Sequence, residues 1–244
     1  MTLLHGIYAA AFIWRTSFVV ESRRYFCLLD DAMITLCYAS NLAKGLGLVW
    51  CPGVDPVEGY TSPLWTFLLA GVARLELSKI ATCLVIQCLG VLIVWFVALA
   101  AARLARQARY APPVAISAAV LVLGYYNLNY FTLLGMETGL AALVMAAGVG
   151  TILVSLRTGS GSIRSMWWVA PIVLLRPEAA AFALYTAGVQ FLFLKSRRWR
   201  SAVGLLIGIA IVAAYMVFRR LYFGAWVPNT YVLKLTGWPL SDRI

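Results

Sequence analysis

The sequence predicts an all-α protein, a polytopic bundle of transmembrane helices with a helical first outer loop. Three observations predict this fold class. The 244 residues are 63% hydrophobic and 12% charged, whereas soluble domains are about 45–50% apolar and about 25% charged. Several apolar stretches reach roughly 17–25 residues, the length that a bilayer span needs. The basic residues lie mostly in short clusters between these stretches, which is typical of loops on the cytoplasmic side.

Seven membrane segments are predicted, with the N-terminus inside. The first apolar stretch lacks a basic n-region and a small-x-small cleavage site, so it is interpreted as a retained anchor. The fifth and sixth segments are separated at Arg176-Pro177-Glu178, because one continuous helix would move the basic cluster 195–200 outside. The segments cover approximately residues 3–20, 80–102, 114–131, 138–156, 166–176, 179–194 and 201–218.

The basic loops support this topology, because all three of their clusters fall on the cytoplasmic side. The run Pro63 to Leu77 is interpreted as a helix on the outer surface or a partial insertion, since counting it as a span would place every basic loop outside. Ser62 and Pro63 suit the N-cap and first position of that helix. The clusters are Arg103, Arg106 and Arg109; Arg157 and Arg164; and Lys195, Arg197, Arg198 and Arg200.

Residues 1–244 are predicted to form a single transmembrane domain that is the N-terminal part of a longer protein. The first outer loop, residues 21–79, carries juxtamembrane helices and most of the polar character. Long structured loops are usually functional. Six acidic residues fall on the outer side of this topology: Asp30, Asp31, Asp55, Glu58, Glu137 and Glu178.

Two classes of site and one class of partner are excluded by composition. His5 is the only histidine, which argues against histidine-based catalysis and a His-rich metal site. The net charge of +11 is spread over separate clusters rather than one patch, and the sequence has no zinc-finger spacing and no aromatic-basic RNA motif. Nucleic acid is therefore not a predicted partner.

Asp30 and Asp31 stand where the first segment should leave the membrane. A helix is predicted over Ala32 to Lys44, with Gly45 as its stop. Two interpretations stay open. In the first, Asp31 is a helix cap and Asp30 is its solvated neighbour. In the second, a carboxylate at the water–lipid boundary either takes a proton from an acceptor hydroxyl or holds a divalent cation. Metal dependence is left open, with a cation shared by the two aspartates and Glu58 as one option.

Two outer segments carry further candidate binding residues. Glu58, Tyr60 and Thr61 lie in a tight turn, where a glycine between them permits the chain to reverse. The alternative is a polar loop that only leads into the next helix. Glu137 lies at an outer helix end, and its alternative role is that of a helix cap.

Another two candidate segments are rich in basic groups. Arg176 and Glu178 are costly at membrane depth unless they are paired or functional. They either form a mutual ion pair, or Arg176 binds a lipid phosphate, which the planar guanidinium suits. The last candidate segment is predicted to lie near the outer leaflet, where lipid phosphate is available for binding. The alternative is that this segment is only a juxtamembrane anchor. Its candidates are Arg220, Asn229, Tyr231 and Lys234, with Arg219 beside them.

Four sequence motifs together resemble a known family. LLDDAMITLCYASNLAKGLGLVWCPGVDPVEGYTSPLW resembles the first loop of bacterial GT-C glycosyltransferases similar to the mycobacterial cell-wall arabinofuranosyltransferases. LLGMETGL, LLRPEA and YFGAWVPNTYVLKLTG resemble later parts of those enzymes in the same order. The resemblance covers residues 25 to 237 approximately and implies a GT-C-like fold. Family members continue beyond the position of Ile244 with further spans and often an outer soluble domain.

The resemblance implies an enzyme of the bacterial inner membrane whose active face is periplasmic. Such an enzyme moves a sugar, with arabinofuranose as one candidate, from a polyprenyl-phosphate donor to a hydroxyl of a cell-envelope glycan, lipid or protein. In the wider class an aspartate of the first outer loop acts near the acceptor hydroxyl, and this role falls on Asp30 or Asp31. Arg176, Arg220 and Lys234 would help to hold the lipid phosphate.

The sequence leaves two other functions open. One is a transporter or lipid flippase, which requires charges near the middle of the membrane. The other is a truncated, non-catalytic membrane protein.

Overall fold

The computed structural model describes residues 1–194 and 196–236, and the side chains of residues 1–194 and 196–232. It is mostly helical, at 73%. The described residues form eleven α-helices. They are α1 (Thr2–Arg15), α2 (Asp30–Ala43), α3 (Pro63–Ala73), α4 (Lys79–Gln107), α5 (Pro112–Gly124), α6 (Tyr126–Leu133), α7 (Thr138–Thr158), α8 (Val169–Leu175), α9 (Ala180–Phe193), α10 (Arg198–Phe223) and α11 (Asn229–Thr236).

Three of these helices, α4, α7 and α10, are long and apolar enough to cross a membrane. Helices α5 and α6 meet at an angle of 52° and count as a fourth crossing if they form one bent span. The predicted number of seven spans is not confirmed. In the other three predicted segments, α1 and α9 have 14 residues each and α8 has seven, whereas a perpendicular span needs about 17 or more.

The predicted first segment, 3–20, extends too far. Helix α1 ends at Arg15, and a short antiparallel hairpin follows, with β1 (Phe18–Val20) paired to β2 (Arg23–Tyr25). The two residues between the strands, Glu21 and Ser22, have φ values of +47° and +62°. Two successive positive φ values are the geometry of a type I′ hairpin turn. This hairpin is the one departure from the all-α prediction in the part of the chain that the structure describes.

Local start and stop signals are confirmed at three places. Helix α3 has Ser62 at its N-cap and Pro63 as its first residue. Helix α2 is followed by Gly45 with φ +76°, a conformation that glycine adopts without steric cost. The break at Arg176 is present, because that residue is extended (φ −143°, ψ 100°) and Pro177 begins a single 3₁₀ turn before α9.

The basic loops meet at one end of the bundle. The C-terminal halves of α4 and α7 pack side by side. The loop after α7 is joined to the segment before α10, because Gly161 N–H donates to Ser196 O (2.9 Å) and Ser196 N–H donates to Gly159 O (2.9 Å). We call this region, the C-terminal ends of α4 and α7 and the N-terminus of α10, the basic end.

The segments with the acidic residues meet at the opposite end. Leu29 N–H, just before α2, donates to Leu134 O (3.0 Å). The Trp65 indole N–H, in α3, donates to Gly135 O (2.9 Å). Asn229 N–H, at the start of α11, donates to Glu58 O (2.9 Å). We call this region, the starts of α2, α3, α7 and α11, the acidic end.

A buried network of three side chains holds the bend between α5 and α6. The Trp95 indole N–H donates to His5 Nδ1 (2.9 Å), so the imidazole proton is on Nε2 and is donated to Asn129 Oδ1 (2.7 Å). The Asn129 amide then donates to the carbonyls of Leu123 (2.9 Å) and Tyr125 (3.0 Å). The Leu123 carbonyl, at the end of α5, is one that a helix end leaves without a helical partner, and the Asn129 side chain supplies one. Tyr125 O also accepts the Asn129 backbone N–H (3.2 Å).

Replacing Asn129 should destabilise the fold, whereas replacing its neighbour Asn127 should not. Asn129→Leu leaves the His5 N–H and the Leu123 carbonyl without these partners, and each unsatisfied buried group costs about 1–3 kcal/mol. Asn127 is exposed on the same helix, so Asn127→Leu is the matched control. Thermal unfolding in detergent should show a clearly lower midpoint for Asn129→Leu alone. Equal midpoints for both variants would contradict the role of the network.

Candidate functional site

The first polar cluster at the acidic end is built around a buried ion pair. Glu58 is 2% exposed and Arg219 is 5% exposed. Arg219 Nε is 2.6 Å from Glu58 Oε2, and Arg219 Nη2 donates to Glu58 Oε1 at 3.2 Å. The Tyr215 hydroxyl, one helical turn before Arg219, donates to the same Oε1 at 2.7 Å. The pairing is one charge-assisted hydrogen bond plus one close contact of opposite charges, and it connects the first outer loop to α10.

Burial is the largest influence on the pKa values of Glu58 and Tyr60 in this cluster. It raises the pKa of the Glu58 carboxyl, and the Tyr215 hydrogen bond and the Arg219 charge oppose that rise. Burial also raises the pKa of the Tyr60 phenol. The Tyr38 hydroxyl donates to Val57 O (2.6 Å) and accepts the Gly59 N–H (3.0 Å). The turn that carries Glu58 and Tyr60 is therefore held in place by α2.

The second polar cluster has one guanidinium among several carboxylates. Arg176 Nε is 2.8 Å from Glu137 Oε1, its Nη1 is 3.3 Å from Glu178 Oε1, and its Nη2 donates to Thr138 Oγ1 at 3.2 Å. Burial raises the pKa of the Glu137 carboxyl, Arg176 opposes this, and the charges of Glu178 and Asp31 add to it. The mutual ion pair of Arg176 and Glu178 is thus present, and Glu137 joins it.

Asp30 and Asp31 are the first two residues of α2, with Leu29 at the N-cap. The interpretation of Asp31 as the cap is therefore wrong, because the helix begins one residue earlier than the predicted cap. Asp30 Oδ1 instead accepts the Asp31 N–H at 2.9 Å, and both negative charges favour the helix N-terminus. Both side chains are exposed, so their carboxylates are accessible to a ligand.

A cavity of about 630 Å³ lies between α2, the end of α3 and the start of α4. Met33 and Cys37 line it from α2, and Asp30 precedes Met33 on the same helix face, since residues three and four apart are neighbours. Three cations and one carboxylate that the sequence analysis did not single out also line this cavity: Lys44, Arg74, Lys79 and Glu76. The helical spacing of α2 from Asp30 to Lys44 is the sequence signal that could have linked these cations to the aspartates.

The remaining predicted site residues are spread over the acidic end. Thr61 and Tyr231 are exposed. Asn229 begins α11 and contacts Glu58 through its backbone. Arg220 is exposed and donates to Gly224 O, so Arg219 rather than Arg220 enters the buried cluster. Lys234 belongs to α11, and its side chain lies outside the described residues.

The two aspartates and Glu58 are not grouped as ligands of one metal ion. Glu58 is engaged by Arg219 and Tyr215 inside the protein, whereas Asp30 and Asp31 are exposed. Across the described side chains, no three His, Cys, Asp or Glu residues are grouped as metal ligands. The cation shared by these three residues therefore has no preformed site.

The chain is similar to bacterial arabinofuranosyltransferases. It is 30% identical over 86% of its length to the terminal β-(1→2)-arabinofuranosyltransferase of Corynebacterium glutamicum, and 30% identical over 85% to the protein of the same name from Mycobacterium tuberculosis. These matches cover 34% and 35% of the two relatives. The chain thus spans about a third of the length of the curated relatives it matches. No protein-family model and no solved structure match it at a significant level.

Removing the charge of Arg219 should destabilise the protein much more than removing that of Arg220. Arg219→Met leaves Glu58 buried and unpaired, and breaking a buried pair in this way costs about 3–5 kcal/mol. Arg220→Met is the matched control, because its side chain is exposed on the next position of α10. Thermal unfolding in detergent measures both.

A double variant separates the ion pair from a packing effect. Glu58→Gln combined with Arg219→Met removes both charges, and it should be more stable than Arg219→Met alone. If the double variant is less stable than either single variant, the unpaired carboxylate is not the cause of the loss.

Proposed function

We propose that the protein is a membrane glycosyltransferase that moves an arabinofuranosyl residue from a polyprenyl-phosphate donor to a hydroxyl of a cell-envelope acceptor. The observation that carries this proposal is the 30% identity, over 86% of the chain, to a protein named as an arabinofuranosyltransferase. We place the protein in the bacterial inner membrane with the acidic end on the periplasmic face. Both the donor lipid and the envelope acceptor are available there.

The cavity beside α2 is our candidate for the reacting groups. Its cations Lys44, Arg74 and Lys79 suit an anionic phosphate, since preformed positive groups stabilise charge that develops on a leaving group. Asp30 and Asp31 lie exposed at the beginning of the same helix. Asp30 and Asp31 do not line the cavity, whose nearest lining residue on α2 is Met33, so the donor has to lie along this face of α2 with its sugar toward the aspartates.

The transfer itself needs one bond to form and one to break. The acceptor oxygen bonds to the anomeric carbon, and the bond between that carbon and the phosphate oxygen breaks. Both electrons of the broken bond leave with the polyprenyl phosphate, whose charge is held by the cavity's cations. The acceptor proton passes to the carboxylate of Asp30 or Asp31, acting as general base.

Other residues of the acidic end would shape the donor and acceptor sites. Arg176 is already shared by two carboxylates, so a phosphate there must compete with them. This favours the cations of the cavity for the phosphate and leaves Arg176 to position the surrounding loops. The residues that we propose to border donor or acceptor are Glu58, Tyr60, Thr61, Glu137, Arg176, Glu178, Arg220, Asn229, Tyr231 and Lys234.

The distribution of charge argues against a transporter or flippase. A carrier uses charges near the middle of the membrane. The three helices of span length, α4, α7 and α10, carry charged residues only within a few positions of their ends. Charged chemistry is thus confined to the two membrane surfaces, which suits transfer at an interface.

Asp30→Asn and Asp31→Asn test the proposed base. We expect one of the two substitutions to lower transfer by about 100-fold or more, the usual range for general acid–base groups. Transfer is measured in vesicles that contain the protein, a radiolabelled polyprenyl-phosphate arabinofuranose and an arabinan acceptor. Asp55→Asn is the matched control, because Asp55 is an exposed acidic residue of the same outer loop. Full activity in both aspartate variants would overturn the assignment of the base.

The cations of the cavity should act on donor binding. Arg74→Gln combined with Lys79→Gln is expected to raise the KM for the donor by about 100-fold or more, because two contacts are removed and each contact to a charged group contributes about 1.5–3 kcal/mol. Arg176→Gln should change the donor KM less, since its guanidinium is neutralised by carboxylates. Initial rates at varied donor concentration measure both. The reverse order of effects would place the donor phosphate at Arg176.

A further inference from the structure

A second cavity lies at the basic end, between the C-terminal halves of α4 and α7. Its volume is about 440 Å³, within the range of roughly 300–1,000 Å³ typical of small-molecule sites. Small residues line it on the α7 side, among them Ala146, Ala147 and Gly150. A Cβ at Gly150 would be 3.2 Å from Gln107 Oε1. Glycine at this position therefore lets α7 come close to Gln107 of α4 at the cavity.

The apolar part of this cavity faces the membrane. Phe96 and Leu99 of α4 and Val154 of α7 line it, and all three side chains are exposed. Both helices are long and apolar enough to span a bilayer, so these side chains would contact lipid chains. A hydrocarbon chain can therefore enter the cavity directly from the bilayer.

The polar part of the cavity is positively charged. Arg103 and Arg164 line it, and among the described residues neither forms an ion pair with a carboxylate. The sequence has no Asp or Glu in residues 99–120 or 150–175. The Gln107 amide oxygen, also in the lining, is buried and without a hydrogen-bond partner in the described part of the chain. Two guanidinium groups and one acceptor are thus left for a ligand.

We propose that this cavity binds an anionic phospholipid from the membrane leaflet at the basic end. An acyl chain occupies the apolar part beside Phe96 and Leu99. The phosphate contacts Arg103 and Arg164, whose planar guanidinium groups match phosphate oxygens. A head-group hydroxyl donates to the Gln107 amide. Basic pockets between transmembrane helices bind anionic head groups in this way, and the proposal does not depend on glycosyl transfer.

Native mass spectrometry of the purified chain in detergent, titrated with phosphatidylglycerol, tests the proposal. Arg103→Gln combined with Arg164→Gln should weaken binding on the order of 20-fold, because each basic group contributes about 1 kcal/mol, or about fivefold. The matched control is Arg106→Gln combined with Arg157→Gln. This pair has the same net charge and comes from the same end of α4 and α7, but neither residue lines the cavity. The control is expected to bind as the original chain does.

Three further arms separate the cavity from a diffuse charge effect. Gly150→Leu fills the cavity with both arginines intact, and it should also lose the bound lipid. Phosphatidylcholine should bind at least tenfold more weakly, and glycerol 1-phosphate should not displace phosphatidylglycerol. Equal loss in the control pair, equal binding of phosphatidylcholine, displacement by glycerol 1-phosphate, or undiminished binding by Gly150→Leu would each overturn the proposal.

Discussion

The ion pair between Glu58 and Arg219 is the constraint on which the acidic end depends. It joins two residues that are 161 positions apart, one in the first outer loop and one in α10. Because either charge alone would be buried without compensation, the loop and the helix have to be assembled together. The Tyr215 hydroxyl and the backbone of Asn229 then attach to the same glutamate. These contacts hold the loop against the bundle.

The sequence predicted the long helices and several of their starts and breaks, but it did not predict which of two adjacent arginines is buried. Long apolar runs, Pro63 at a helix start and Pro177 at a break are local signals that tertiary contacts rarely override. The choice between Arg219 and Arg220 depends on helix orientation. The signal was available as a stripe of positions three, four, seven and four apart, Ser201, Gly204, Gly208, Tyr215 and Arg219, which follows the buried face of α10.

Span number was harder to predict for a physical reason. Charge bias decides on which side of the membrane a loop lies, but it does not decide where a neighbouring helix ends. Helix α1 ends at Arg15 and is followed by a hairpin. The turn of this hairpin, Glu21-Ser22, has none of the glycine or asparagine that usually marks such turns. Near Arg176 the extended residue and the proline split one apolar stretch into two helices shorter than a bilayer span. The sequence predicts the break at Arg176, but it does not predict that the first stretch ends in a hairpin or how short the helices on either side of Arg176 are.

Helix α4 connects the two cavities and explains why both suit anions that belong to the membrane surface. Lys79, at its start, lines the cavity beside α2, and Arg103, near its finish, lines the cavity of the basic end. The two residues are 24 positions apart on α4, which corresponds to roughly 36 Å at 1.5 Å per residue. A hydrocarbon core is about 30 Å thick, so the two cations are far enough apart along α4 to reach opposite surfaces of a bilayer. Glu137 and Glu178 engage Arg176, and the cavity beside α2 has three cations and one carboxylate, Glu76, in its lining, whereas at the basic end no carboxylate is near in sequence.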